Sequence, residues 1–175
     1  QAGKRDDAQI AMNKHLREFL LPRLTRRFWL RLAVVAAIAY GFFGHVCLPM
    51  RLQGASMEPT YRDGGFVFCW RPAFWFQAPR HGDIVMIRFA GRHMALFKRV
   101  VGLAGDTIAF ENGALVRNGR PVAEPYVAGP CDWNLEPRTV AEGNVYVVGD
   151  NRAVDMDRHD FGEVGVHRIL GKPLW

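Results

Sequence analysis

The chain has 175 residues, 23 Lys and Arg against 17 Asp and Glu, and a net charge of +6, enough for one modest domain with a real core. Cys47, Cys69 and Cys131 are too far apart for zinc spacing, which argues against a metal-held fold. The positive excess is local: Lys4, Arg5, Lys14, Arg17, Arg23, Arg26, Arg27 and Arg31 all precede or enter the first long apolar segment, a pattern that points to a membrane rather than to nucleic acid.

Residues 1–27 are polar and basic and read as a cytoplasmic segment. The sequence opens on Gln1, and Met12 is a candidate native start. Ile10 to Leu24 is expected to form a short helix with basic residues on one side, solvated or touching lipid headgroups. Residues 28–48, FWLRLAVVAAIAYGFFGHVCL, read as a single transmembrane helix. Nineteen uncharged residues separate Arg31 from Arg51 if His45 is neutral, and a spanning helix needs about 20. Arg31 can snorkel, and Trp29, Tyr40, Phe42 and Phe43 suit interfacial or packing roles. A buried core helix or a cleaved signal peptide is the competing reading. The first is disfavoured because the segment is apolar all round, the second because it is long for a signal peptide. Gly41, Gly44, His45 and Pro49 imply a helix ending near residue 48. The basic flank places the N-terminus in the cytoplasm and residues 49–175 outside.

The remainder reads as an extracytoplasmic, mainly β domain. Met50 to Gln53 is extended, Asp63-Gly64-Gly65 turns, and Phe66 to Trp70 is an apolar strand. Arg71 to Pro79 (RPAFWFQAP) is either core or a surface that dips into lipid. Strands follow at Ile84 to Phe89, Met94 to Gly102 and Val145 to Val148. The stretches 107–116 and 117–122 are hairpin-like, split by Asn112-Gly113 and Asn118-Gly119, a strong hairpin signal. Phe161 to Leu170 has room for one more strand. Short strands, many glycine turns and little helical periodicity give an all-β domain behind one transmembrane helix. Outside the membrane, a Cys69–Cys131 disulfide is one pairing open to the cysteines.

Two residues in this frame invite chemistry. Ser56 sits in Gly54-Ala55-Ser56-Met57-Glu58-Pro59-Thr60, eight residues past the expected span. A serine in a Gly/Pro turn is by itself a turn residue, and it becomes a nucleophile only when a base takes its proton. Lys98 is the candidate base, the alternative being a lysine on the solvent face of a strand. Alternation puts it on one face with Leu96 and Val100, inward, and leaves Phe97 and Arg99 on the other, with Arg99 outward. Burial disfavours an ammonium ion. Acting as a base near pH 8 requires about 3.3 kcal/mol of differential destabilisation of the charged form.

Four blocks, in order, resemble the bacterial type I signal peptidases, membrane-bound serine proteases with a Ser/Lys dyad. Ser56-Met57-Glu58-Pro59-Thr60 is similar to the nucleophile block and Gly82-Asp83-Ile84-Val85 to the following strand. Lys98 to Asp106 resembles the general-base block, with Ala104 where proline is usual, and Gly149-Asp150-Asn151-Arg152 resembles the opening of the last block. The resemblance covers about residues 30–170. It implies a largely antiparallel, barrel-like β fold and a secreted preprotein as substrate, cut after a small-x-small motif. It further implies Ser56 as nucleophile, Lys98 as general base, and no cofactor or metal. The Ser56 N–H would donate to the oxyanion, and Gly54 stands where many relatives carry a second, hydroxyl donor. Leu52, Met57, Leu96 and Phe97 correspond to positions that shape shallow pockets. The implied partners are preproteins, the lipid bilayer and the translocation machinery, with no nucleic acid. The implied location is the bacterial inner or cell membrane, with the catalytic domain on the periplasmic side.

The last block departs from the pattern. Asp155 falls on the family's serine position, Asp157 on its Asp and His159 on its Arg. A carboxylate at Asp155 would favour the ammonium form of Lys98 and shift or impair activity, unless it turns away to Arg152 or Arg158. Asp157 is expected to hold the loop, as Asp150 and Arg152 do, although the whole acidic loop, Asp160 included, can also be read as a solvated turn. Three other readings compete. A self-cleaving repressor with a Ser/Lys dyad would need a DNA-binding segment where residues 28–48 stand. A conjugation-pilin type peptidase would suit the short chain and the Lys172-Pro173-Leu174-Trp175 ending. A membrane-anchored β domain that binds without cleaving is the third.

Overall fold

A computed structural model describes residues 25–88, 95–127, 129–158 and 162–174. The expected helix within Ile10–Leu24, and the positions of His159 and Asp160, lie outside the described residues. The chain forms two units, the second starting at Phe43.

Among its described residues the first unit carries one α-helix, α1 (Arg26–Gly41), capped by Thr25, whose side chain accepts a bond from the Phe28 N–H at 3.3 Å. None of its residues is buried, although it is apolar on every side. With the π-helical turn Phe42–Val46, it makes a 21-residue stretch long and apolar enough to cross a membrane. The helix stops short of the expected residue 48. From Cys47 the chain is already strand β1 (Cys47–Arg51), paired with β2 (Phe66–Trp70). Pro49 therefore sits in a strand instead of ending a helix, which is tolerated because β1 is a sheet edge.

The second unit consists of two antiparallel sheets. The larger also contains β3 (Ile84–Arg88), β4 (Ala95–Leu103), β9 (Asn144–Val148), β10 (Gly162–Gly165) and β11 (Ile169–Leu174), in the order β1-β2-β11-β3-β4-β9-β10. The smaller has the order β7-β6-β5-β8, built from β5 (Thr107–Glu111), β6 (Ala114–Arg117), β7 (Arg120–Pro121) and β8 (Leu135–Thr139). Both Asn-Gly pairs make the expected two-residue turns. Asn112 and Asn118 have φ of 48° and 54°, and each is followed by a glycine with positive φ, the geometry that matches the strand twist. Gly113 has a second constraint, since a Cβ there would lie 2.0 Å from the Cys131 carbonyl oxygen.

Two expectations need correction, and one strand was not anticipated. The segment from Phe161 onward holds two strands, β10 and β11, joined by a 3-10 turn at Val166–Arg168. Strand β8 (LEPRT) carried no signal, because it is an exposed polar edge strand with a proline. The cysteines are free thiols. Cys69 packs with Leu52, Met57 and Met86, whereas Cys131 packs against the cluster around Trp133, so the two occupy different cores. Burial pushes the Cys69 thiol up to about 12.

The core has three parts. One, around Ile108, Phe110, Trp133 and Tyr146, joins the two sheets, with the Phe110 and Trp133 rings edge-on at 5.4 Å. A second, around Val85, Val100 and Val147, packs one side of the large sheet. The third, Leu52, Met57, Val67, Met86 and Phe97, lies beneath the Ser56 loop. The aromatic stretch Arg71–Pro79 splits between its two readings. Phe74 packs against the second part, while Trp75 and Phe76 are 64% and 95% exposed.

Candidate active site

The loop carrying Ser56 is closed at its base by paired backbone bonds between Leu52 and the Gly64-Gly65 turn, at 2.8 and 3.1 Å. Inside it, Ala55–Met57 forms one 3-10 turn. The Met57 side chain is buried among Leu52 and Phe97, which pins the turn and leaves Ser56 half-exposed on its outer side. Gly54 precedes the turn with φ 93° and ψ 149°, a backbone region that side chains rarely adopt. Its N–H donates to Asp63 Oδ1 at 2.8 Å. Glycine at this position is thus required by the chain path.

Lys98 comes from β4, opposite Val85 of β3, and is 2% exposed. The 3-10 turn of Ser56 packs against β4. Strict alternation fails along this strand. Phe97 and Lys98 are both buried, while Leu96 and Arg99 are half-buried. The reason is that β4 is an inner strand between β3 and β9, covered on both faces.

A cleft of about 330 Å³ opens between the Ser56 loop and the start of β4. It gathers Gly54, Ser56, Leu52, Met57, Leu96 and Phe97, all expected site residues, and adds Tyr61 and Ala95. The Tyr61 ring packs on Phe97 with centroids 6.4 Å apart, and burial holds its phenol above the ordinary value. Aliphatic and aromatic side chains form part of the cleft wall, beside Arg51, Gln53 and Ser56. That suits an extended peptide with small apolar side chains. Lys98 is the next residue along β4 from the wall residue Phe97.

Around the cleft runs a network that the sequence reading only half anticipated. Arg99 is not turned to solvent. It donates to both carboxylate oxygens of Asp150, from Nε at 2.8 Å and Nη2 at 2.6 Å, and to the Gly82 carbonyl at 2.9 Å. Its guanidinium stacks 3.8 Å from the Tyr126 ring centroid. Asp150 is 0% exposed and also accepts from Thr60 Oγ1 at 2.5 Å. One buried carboxylate therefore ties the residue after Lys98 to the loop of Ser56. Arg152, also buried, forks onto Glu124 at 2.8 and 2.6 Å and bonds the Gly149 carbonyl at 2.9 Å. Asn151, between them, bonds the carbonyls of both Ala55 and Ser56 at 3.0 Å. Glu124 and Tyr126 lie in an aperiodic stretch with no sequence signal. Thr60 and Asn151 stood inside quoted blocks but drew no role from them.

Asp155 turns away from the cleft network. It is 77% exposed and pairs with Arg158 at 3.9 Å, while Arg152, the other partner considered, is committed to Glu124. Asp157 is exposed on the 3-10 turn Met156–Arg158. Among the described residues, no group of His, Cys, Asp and Glu is gathered in a way that could hold a metal ion.

Residues 25–175 match the family described as signal peptidase, peptidase S26. The chain is 32% identical to signal peptidase I V of Bacillus subtilis (strain 168), over 85% of this chain and 96% of that one. It is also 32% identical to a probable signal peptidase I-1 of Synechocystis sp., over 83% of this chain and 78% of that one. A crystal structure of a signal peptidase I from Enterococcus faecalis aligns with a TM-score of 0.45 at 26% identity, covering 55% of this chain and 97% of that one.

Proposed function

The chain belongs to the signal peptidase I family, peptidase S26, and on that footing we propose a membrane-anchored serine endopeptidase that removes signal peptides from secreted preproteins after a small-x-small motif. Ser56 is the nucleophile and Lys98 the general base. The observation that carries this reading is the cleft. Half-exposed Ser56 stands at its side, Leu96 and Phe97 form its wall, and the next residue of that strand is a lysine at 2% exposure.

The chemistry follows from those surroundings. Burial disfavours an ammonium ion, so a sheltered lysine is more often present as the free amine, the form that can take a proton, than an exposed one. The neutral amine of Lys98 takes the Ser56 hydroxyl proton as Oγ attacks the scissile carbonyl, then passes it to the leaving amine. The acyl-enzyme is hydrolysed by a water that the same amine deprotonates. The Ser56 N–H donates to the oxyanion. Leu52, Met57, Leu96 and Phe97 line the cleft and restrict the side chains that precede the cut to small ones.

The apolar stretch Arg26–Val46 serves as the anchor, with the basic N-terminal side in the cytoplasm and the β region outside. Exposed Trp75 and Phe76 favour the lipid-contacting reading of their turn. The direct test is cleavage of a preprotein with an Ala-x-Ala site by the full chain in detergent. Cleavage after the second alanine is expected, with loss on the order of 10⁴-fold or more in Ser56→Ala. Undiminished cleavage by the variant contradicts the assignment. No cleavage by the unaltered chain favours a binding domain or a narrow-specificity peptidase.

A further inference from the structure

Building on the assignment of Ser56 as nucleophile, we propose that Asn151 is a positioning residue that sets the direction of the oxyanion-binding N–H. Both peptide planes flanking Ser56 are gripped by this one residue. Its side-chain Nδ2 donates to the Ala55 carbonyl at 3.0 Å, and its backbone N–H donates to the Ser56 carbonyl at 3.0 Å. Its Oδ1 accepts from the Ala153 N–H at 3.2 Å, so the NH₂ end of the amide is the one aimed at Ala55.

Peptide geometry turns this grip into a functional device. A peptide bond is planar, and in the trans form its C=O and N–H point in opposite directions. The cis bond in this loop is Glu58–Pro59, not Ala55–Ser56. Holding the Ala55 carbonyl toward Asn151 therefore holds the Ser56 N–H away from it. Holding the Ser56 carbonyl fixes the next plane in the same way. A single 3-10 turn has few bonds of its own. Its internal contact is the Glu58 N–H to the Ala55 carbonyl at 3.1 Å, and Gly54, at positive φ beside it, adds no stiffness. Orientation must be supplied from outside.

Asn151 can supply it because its neighbours cannot move. Asp150 is held by Arg99 and Thr60, and Arg152 by Glu124 and the Gly149 carbonyl, all through buried or half-buried side chains. The demand is greater here than in a site with two donors, because Gly54 offers no hydroxyl. The effect of an oxyanion donor depends on its being aimed before the charge forms.

The test uses the full chain in detergent, with Asn151→Ala and Asn151→Asp beside Ser56→Ala. Aspartate is the informative replacement. It keeps the backbone N–H and the acceptor for Ala153, but presents an oxygen to the Ala55 carbonyl. Preprotein cleavage gives kcat and KM. Affinity is then measured for a peptide aldehyde, which forms a tetrahedral adduct with serine, and for the same peptide as an uncleavable amide. Both variants are expected to lower kcat by about 10- to 100-fold with KM within about twofold. Aldehyde affinity should fall in step with kcat while amide affinity holds, since only the adduct carries the oxyanion.

A kcat for Asn151→Asp within about twofold of the unaltered chain overturns the proposal. So does a loss shared equally by the amide, which would mark a merely structural residue. If Asn151→Ala fails to fold, Asn151→Asp decides. Activity surviving in Ser56→Ala would instead remove the nucleophile assignment itself, an outcome distinct from failure at Asn151 alone.

Discussion

The two halves of the proposed dyad are built in opposite ways. Lys98 is buried inside a nine-residue inner strand, paired with Val85 of β3 one residue before the β9 ladder begins at Arg99. Its position is fixed by the sheet ladder. Ser56 sits in a three-residue turn within a loop, and its position comes from other segments: Asp63 below Gly54, Met57 buried in the core, Asn151 on two carbonyls, and Asp150 on Thr60. Burial shifts a lysine toward its neutral form, and burial is what a central strand provides. A nucleophile must be reachable by a polypeptide, so it cannot be buried, and a loop can reach outward only if something else holds it still. Damage near Lys98 should therefore act through charge, and damage near Ser56 through geometry.

The largest effect that would sharpen this contrast is at Asp150, where both halves meet. Asp150→Ala strands the Arg99 guanidinium without its carboxylate and releases Thr60. Loss of one partner from such a buried pair costs about 3–5 kcal/mol, read as a lower midpoint in urea unfolding, and cleavage should fall with it. An unchanged midpoint would mean that the loop is held by Met57 and Asn151 alone.

A smaller effect is expected at Gly54. Gly54→Ser adds a hydroxyl beside Ser56, but at φ 93° it places a side chain in strained backbone, costing about 1–3 kcal/mol. Slower cleavage and lower stability are the expected outcome. Faster cleavage would show that the turn adapts, against the view that its path is set from outside.

The smallest effect belongs to the junction between the sheets. Burial works against ionisation of Asp106, but bonds from the Leu103 N–H, from His81 at 2.6 Å and from Asn118 at 2.7 Å outweigh it and hold its carboxyl below the usual value. A carboxyl depressed in the folded state contributes stability above its unfolded pKa and loses it as pH falls through the folded one. Stability should therefore decline on the acid side of the carboxylate range. Asp106→Asn should flatten that decline, measured by thermal unfolding against pH, and leave kcat at neutral pH unchanged. A decline that persists unaltered would assign it to other carboxylates.

Much of this fold was legible in the sequence for local reasons. The Asn-Gly turns announce themselves because few residue pairs accept positive φ twice in succession, and β2 through β6 and β9 stand out as apolar runs between glycines. What escaped was decided by partners distant in sequence. β8 is a strand because β5 pairs with it, and nothing in LEPRT says so. Cys47 and Leu48 leave the helical apolar run because β2 offers them a ladder. At the candidate site, Ser56 and Lys98 could be singled out from residue type and setting. Arg99 was misjudged because alternation assumes one covered face, and an inner strand has two. The bond from Asn151 to Ala55 spans 96 positions, a separation over which no periodicity speaks.

The most direct test of the central claim is the rate at which an Ala-x-Ala thioester peptide acylates the full chain, followed by intact mass across about pH 6 to 10. The account predicts one acyl group on Ser56, formed faster as pH rises through the titration of a single base, and no measurable adduct in Lys98→Ala. An adduct on another residue, or one that forms on Ser56 at an undiminished rate without Lys98, would contradict it.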